Sequence, residues 1–100
     1  MKSITSQELA ILLSTNANIQ LIDVREPDEH HEFNIGGILI PLSQITQQLS
    51  RLDTLQPVII YCRKGIRSQI AIQRLQSKFP FTKLVNLTGG LDNWRKQFSI

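Results

Sequence analysis

Cysteine, tryptophan, tyrosine and methionine occur once each among the 100 residues, and histidine only twice. A lone cysteine cannot close an internal disulfide, so the composition makes no demand for an oxidising compartment. Long apolar runs are missing as well. Gln7 and Glu8 interrupt the only stretch behind Lys2 where a secretory signal core could lie, and no other segment approaches the length needed to span a bilayer. The expectation is a cytoplasmic protein without membrane attachment, which makes the match of Asn86-Leu87-Thr88 to a glycosylation acceptor accidental. His30 and His31 are adjacent, so on a helix their rings would point about 100° apart. No CxxC or HExxH spacing accompanies them, and they read as surface residues with no metal or other cofactor expected. Linkers, internal repeats and low-complexity stretches are absent too, leaving residues 1–100 as a single domain.

What is present is an ordinary globular composition, 41% hydrophobic and 19% charged, with a net charge of +3 that is unevenly spread. Through Asp53 there are seven acids against Lys2, Arg25 and Arg51; from Thr54 onward Asp92 is the only acid among eight bases. The second half of the chain therefore favours small anions or an acidic partner surface. Nucleic acid is not the expected partner, because the bases are scattered among apolar helix positions and no nucleic-acid-binding motif accompanies them.

Three short β-branched runs, Ile19–Val24, Val58–Cys62 and Lys83–Leu87, have the continuous apolar character of strands covered on both faces. Gly37–Pro41 is a fourth candidate, and Ser3-Ile4 a brief edge pairing. Between them lie segments with helical spacing. Thr5 or Ser6 can cap a helix carrying Glu8 in its first turn, with Leu9, Leu12 and Leu13 on one side. Leu42, Ile45, Leu49 and Leu52 repeat the spacing, Ile70, Ala71 and Leu75 line a helix ending near Phe79-Pro80, and Leu91, Trp94 and Phe98 line a last one, the two aromatics as core. Alternating strands and helices predict an α/β fold: a central, mainly parallel sheet of about five strands with helices on both faces.

The candidate site lies where the second run ends. In Val58-Ile59-Ile60-Tyr61-Cys62-Arg63-Lys64-Gly65-Ile66-Arg67-Ser68 the only cysteine stands between a strand and a short cationic loop that opens into a helix. A thiol is nucleophilic when ionised, and nearby cations or a helix N-terminus favour the thiolate. Arg63, Lys64 and Arg67 supply the cations, the successive loop amides form a concave anion site, and Gly65 lets the loop curl. Ligands of such sheets bind beyond the carboxyl ends of the strands, where Cys62 falls. Asp23 and Arg25, two apart near the end of another strand, leave it on one side and reach the same rim. Arg67, with a planar fork for two oxygens, is the expected anchor for the anionic end of a donor, and Arg63 and Lys64 tune its affinity.

These residues resemble the single-domain rhodanese family, sulfurtransferases that carry sulfur as a cysteine persulfide. Leu21–Glu26 resembles the family's first signature, Gly36-Gly37 through Ile40-Pro41-Leu42 its second, Cys62–Ser68 its active loop, and Asn86–Gly90 on to Trp94 its C-terminal signature. The resemblance implies a rhodanese-like domain with Cys62 as nucleophile, the loop residues Arg63, Lys64, Gly65, Ile66 and Arg67 as the cradle of a persulfide, and Asp23, Arg25 and Ser68 as supporting residues. It also implies a small anionic donor such as thiosulfate and an acceptor that is cyanide, a thiol or a thioredoxin-like protein. One departure stands out: the family's Gly-His-Ile-Pro-Gly run is replaced by Phe33-Asn34-Ile35-Gly36-Gly37, and the stretch to Pro41 is one residue short, in a loop expected to lie away from the nucleophile.

Two rival functions share some of these features. Cysteine phosphatases and arsenate reductases also set a thiolate and an arginine around an oxyanion, but their loops read CxxxxxR, whereas Arg67 is five residues after Cys62 and the sixth position is Ser68. A non-catalytic binding module would have no use for an activated thiol.

Overall fold

The computed structural model describes residues 1–80 and 83–100. Five parallel strands form one sheet: β1 (Lys2–Ile4), β2 (Gln20–Asp23), β3 (Ile38–Leu39), β4 (Val58–Tyr61) and β5 (Leu84–Leu87), in the spatial order β1-β5-β4-β2-β3. Among the described residues four α-helices accompany them: α1 (Ser6–Ser14), α2 (Pro27–Glu32), α3 (Ile66–Lys78) and α4 (Gly90–Phe98). After β2 the chain crosses to β3 on one side, and after β4 it crosses to β5 on the other. The carboxyl ends of β2 and β4 therefore flank the point where the winding reverses, the place at which open α/β sheets bind ligands.

Side chains alternate across β4 and divide the core in two. Val58 and Ile60 join Ile22, Val24, Leu84 and the α3 residues Ala71, Ile72 and Leu75 on one face, and Cys62, next in the same parity, ends that row. Ile59 and Tyr61 turn to the other face, where Leu9 of α1 and Leu91 of α4 cover them. Both faces of β4 are buried, which is why it reads as an unbroken apolar run.

The helices start and stop for local reasons. Thr5 caps α1 with a reciprocal pair: its Oγ1 accepts the Glu8 N–H at 3.1 Å and its own N–H donates to the Glu8 carboxylate at 2.9 Å. Ser6 and Leu9 form the buried face, with Leu12 half-buried; Leu13, about 100° further round, turns to solvent. The region 42–52 does not form an α-helix. Its apolar repeat is satisfied by two 3-10 turns, Leu42–Gln44 and Leu49–Arg51, because spacings of three and four suit either turn once Ile45 and Leu52 reach the core. Helix α2 lacks buried residues and so carries no periodic signal. Trp94 is half-buried, but Phe98 is 38% exposed, packed edge-to-face on the outer side of Trp94 with ring centroids 4.7 Å apart rather than on the sheet.

The loop before β3 touches the strand that delivers the site. Asn34 closes it, accepting the Gly36 N–H on Oδ1 and donating from Nδ2 to the His30 carbonyl. The Gly37 N–H donates to the Tyr61 hydroxyl at 3.2 Å, so this region abuts the residue preceding Cys62 rather than lying apart from it. Burial first, and the Asp23 charge second, push the Tyr61 phenol up to about 12. A Cβ at Gly37 would stand 2.6 Å from the Tyr61 ring, which is fully enclosed and cannot retreat. Gly37→Ala is expected to destabilise the fold by about 1–3 kcal/mol, lowering the melting temperature by roughly 5–15 °C in a thermal denaturation scan.

Candidate functional site

Cys62 leaves the end of β4 with its side chain 1% exposed and its sulfur facing the start of α3. The Gly65 N–H donates to Sγ at 3.1 Å and the Ser68 N–H at 3.4 Å, so two backbone dipoles converge on the sulfur. Gly65 makes the curl possible. It sits at the N-cap of α3 with φ +93°, in the left-handed region where side chains are disfavoured. Ser68 Oγ lies 3.4 Å from Sγ and donates to the Asn86 side-chain carbonyl on β5, which ties the floor of the site to the neighbouring strand.

The start of α4 holds the loop from beneath. The Leu91 N–H donates to the Cys62 carbonyl and the Asp92 N–H to the Arg63 carbonyl, each at 2.9 Å. Gly90 allows this approach: a Cβ there would lie 2.5 Å from both carbonyl oxygens, and φ is +59°. Two otherwise unpaired N–H groups at a helix start are thereby satisfied by the carbonyls of the nucleophile and its neighbour.

The other wall comes from β2 and α2. Asp23, fully buried, receives the Arg25 backbone N–H and Nε on one carboxylate oxygen and an Arg25 terminal nitrogen on the other, all within 3.0 Å. His30 Nδ1 stands 2.8 Å from that second oxygen. His30 is therefore half-buried and engaged, unlike the exposed His31, and does not fit the reading of both as surface residues. Arg25 also donates to the Phe33 carbonyl, so Asp23 and Arg25 together hold the C-terminal end of α2.

From α2, Glu29 reaches the loop. Its two carboxylate oxygens accept the two terminal nitrogens of Arg67 at 2.7 and 2.9 Å, a bidentate pair across 38 residues. The fork expected to grip a donor is thus occupied by a protein carboxylate. The Arg67 hydrogen bonds, working against partial burial, hold the Glu29 carboxyl down at about 2, and the same bonds raise the Arg67 guanidinium above its ordinary value. Arg63, largely exposed, makes a looser pair with Asp92 at 3.3 Å. Cys62, Arg63, Lys64, Ile66 and Arg67 line an open hollow of about 220 Å³ above the sulfur.

The fold therefore gathers Arg63, Lys64, Ile66 and Arg67 at one rim above Cys62, sets Gly65 and Ser68 beneath it, and places Asp23 and Arg25 behind, acting through α2. Sequence reasoning missed Glu29, His30 and Asn86. The Glu26–Glu29 spacing around Pro27 carried a helix-start signal that could have found α2; nothing local marked the contacts of Asn86. Asn86 is 4% exposed, which agrees with the dismissal of its glycosylation motif.

Because folding depresses the Glu29 pKa, the bridge stabilises the folded state above the ordinary carboxylate pKa and stops doing so as pH falls from about 4.5 towards 2. Glu29→Gln is expected to cost about 1 kcal/mol at neutral pH, discounted for the partial exposure of both partners. That cost is expected to vanish by about pH 2 in urea titrations run across pH.

Comparison with known proteins is consistent with this arrangement. The family model of the rhodanese-like domain matches residues 5–97. The uncharacterized protein YqhL of Bacillus subtilis is 40% identical over 95 residues, covering 94% of this chain and 72% of that protein. The probable adenylyltransferase/sulfurtransferase MoeZ of Mycobacterium tuberculosis is 37% identical over 98 residues, of which this chain spans only 25% of the length. The crystal structure of thiosulfate sulfurtransferase from Pseudomonas aeruginosa superposes with a TM-score of 0.88 at 27% identity, covering 98% of this chain and 19% of that one. With its α/β sheet, its strand-end cysteine and a family match along nearly its whole length, the chain belongs to the rhodanese-like domain family.

Proposed function

We infer that the protein is a sulfurtransferase that carries a sulfane sulfur as a persulfide on Cys62. The observation that carries this reading is the placement of Sγ beneath the two inward backbone N–H groups of Gly65 and Ser68, at the foot of a hollow rimmed by Arg63, Lys64 and Arg67. Hydrogen-bond donors turn positive partial charge toward the sulfur and stabilise its thiolate without a general base, and the reaction needs only that.

The Cys62 thiolate attacks the outer sulfur of thiosulfate or of a persulfide donor. A new S–S bond forms at Sγ while the donor's S–S bond breaks, releasing sulfite or a thiolate. A second nucleophile, such as cyanide, a low-mass thiol or a thioredoxin-like cysteine, then attacks the outer sulfur and returns Cys62 as thiolate. Ile66 shapes the mouth through which donor and acceptor approach, Gly65 holds the sulfur with its N–H, and Ser68 fixes the floor. The name of MoeZ, which includes sulfurtransferase, supports the class of reaction.

The phosphatase reading is less well served. A tetrahedral phosphate needs a free arginine fork beside the thiolate, and the Arg67 fork is filled by Glu29.

Cys62→Ser is expected to abolish sulfur transfer while leaving the fold intact, since the substitution is nearly isosteric in a satisfied site. Treatment of the wild type with a sulfur donor is expected to add the mass of one sulfur atom to the peptide containing Cys62. Retained turnover in the serine variant would refute the assignment.

A further inference from the structure

The loop's three cations do not act as three. Arg67 is neutralised by the bidentate Glu29 carboxylate and Arg63 is partly offset by Asp92, while Lys64 is the loop cation without an acid partner among the described residues. Beside it, Ile66 is 63% exposed at the mouth of the hollow above Cys62. In that lining Ile66 is the one aliphatic side chain, so it is placed to touch the carbon framework of a molecule that reaches the sulfur. A second hollow, of about 290 Å³, shares Arg63 as a wall with the first and has Phe33 and Leu91 in its lining, with acids and bases around them. Such a lining suits a body with carbon framework and both signs of charge better than a small dianion.

Resting on the sulfurtransferase reading, we propose that the sulfur donor is an organic persulfide, R–S–SH, in preference to thiosulfate, with Ile66 and the Glu29–Arg67 pair as the specificity-determining residues. The step balances without an added oxidant or reductant: the Cys62 thiolate bonds to the outer sulfur, the donor S–S bond breaks, the electron pair leaves on R–S⁻, and the proton stays with the transferred sulfur. Ile66 packs against the organic group R. Glu29 lowers the attraction of the rim for sulfonate-like oxygens by filling the fork they would use.

The test is pre-steady-state persulfidation of Cys62 in the full chain, with glutathione persulfide and thiosulfate as alternative probes. The expected second-order rate is at least about tenfold higher with glutathione persulfide, the scale on which one apolar contact discriminates. Ile66→Ser is expected to lower the ratio of the two rates about fivefold, by slowing the persulfide. Glu29→Gln is expected to lower it by a similar factor in the opposite manner, by speeding thiosulfate through a freed Arg67, an effect that weakens with salt. Because Ile66 is exposed, its variant is independent of any loss of stability in the Glu29 variant. Thiosulfate reacting as fast as glutathione persulfide in the wild type, or Ile66→Ser slowing both donors equally, would overturn the proposal while leaving sulfur carriage on Cys62 standing. Failure of either donor to add sulfur to Cys62 would overturn the sulfurtransferase reading itself.

Discussion

The site depends first on two hydrogen bonds that involve no reactive group. The Leu91 and Asp92 N–H groups at the start of α4 hold the carbonyls of Cys62 and Arg63, and the missing side chain of Gly90 is what allows the backbones to meet. Those carbonyls turn toward α4, and further along the loop the Gly65 and Ser68 N–H groups turn to the sulfur. The same glycine pair that starts α4 thus sets the orientation of the loop, and the reactive side chain inherits it. Preorganisation of this kind costs nothing at the moment of reaction, because the dipoles are already aimed.

Folding also rewrites the charge pattern of the chain. Along the sequence, acids gather before Asp53 and bases after it, which suggests a strongly positive active half. In three dimensions the acidic half folds back on the basic one: Glu29 of α2 meets Arg67 of α3. The field at the rim is therefore milder than the linear count suggests. A tally of charges describes the long-range potential of the molecule, whereas chemistry at the sulfur is governed by which of them are already paired.

Much of the fold was legible because its causes are local. The β-branched runs became β2, β4 and β5, and the Thr5–Glu8 pair capped α1. The reactive cysteine and its loop were legible for the same reason, since strand, nucleophile, cations and helix are consecutive. The failures have physical causes of a different kind. Residues 42–52 showed an apolar spacing that does not distinguish an α-helix from 3-10 turns. Helix α2 has polar residues on every side and no periodicity to read. Glu29 with Arg67, His30 with Asp23, and Asn86 with Ser68 are side-chain meetings between separate elements, and the topology that joins them cannot be seen in any window of sequence.

Helix α2 buries none of its own residues, yet it carries the carboxylate that reaches into the active loop. Its own residues are held by charge and hydrogen bonding, His30 to Asp23 and Glu29 to Arg67, and apolar packing begins only at its capping residue, Phe33. Elements attached without apolar burial are the first to open in a native protein, because their detachment exposes no oil to water. The wall of the hollow on that side therefore rests on ionic and polar contacts, whereas the sheet and its two cores rest on buried hydrocarbon.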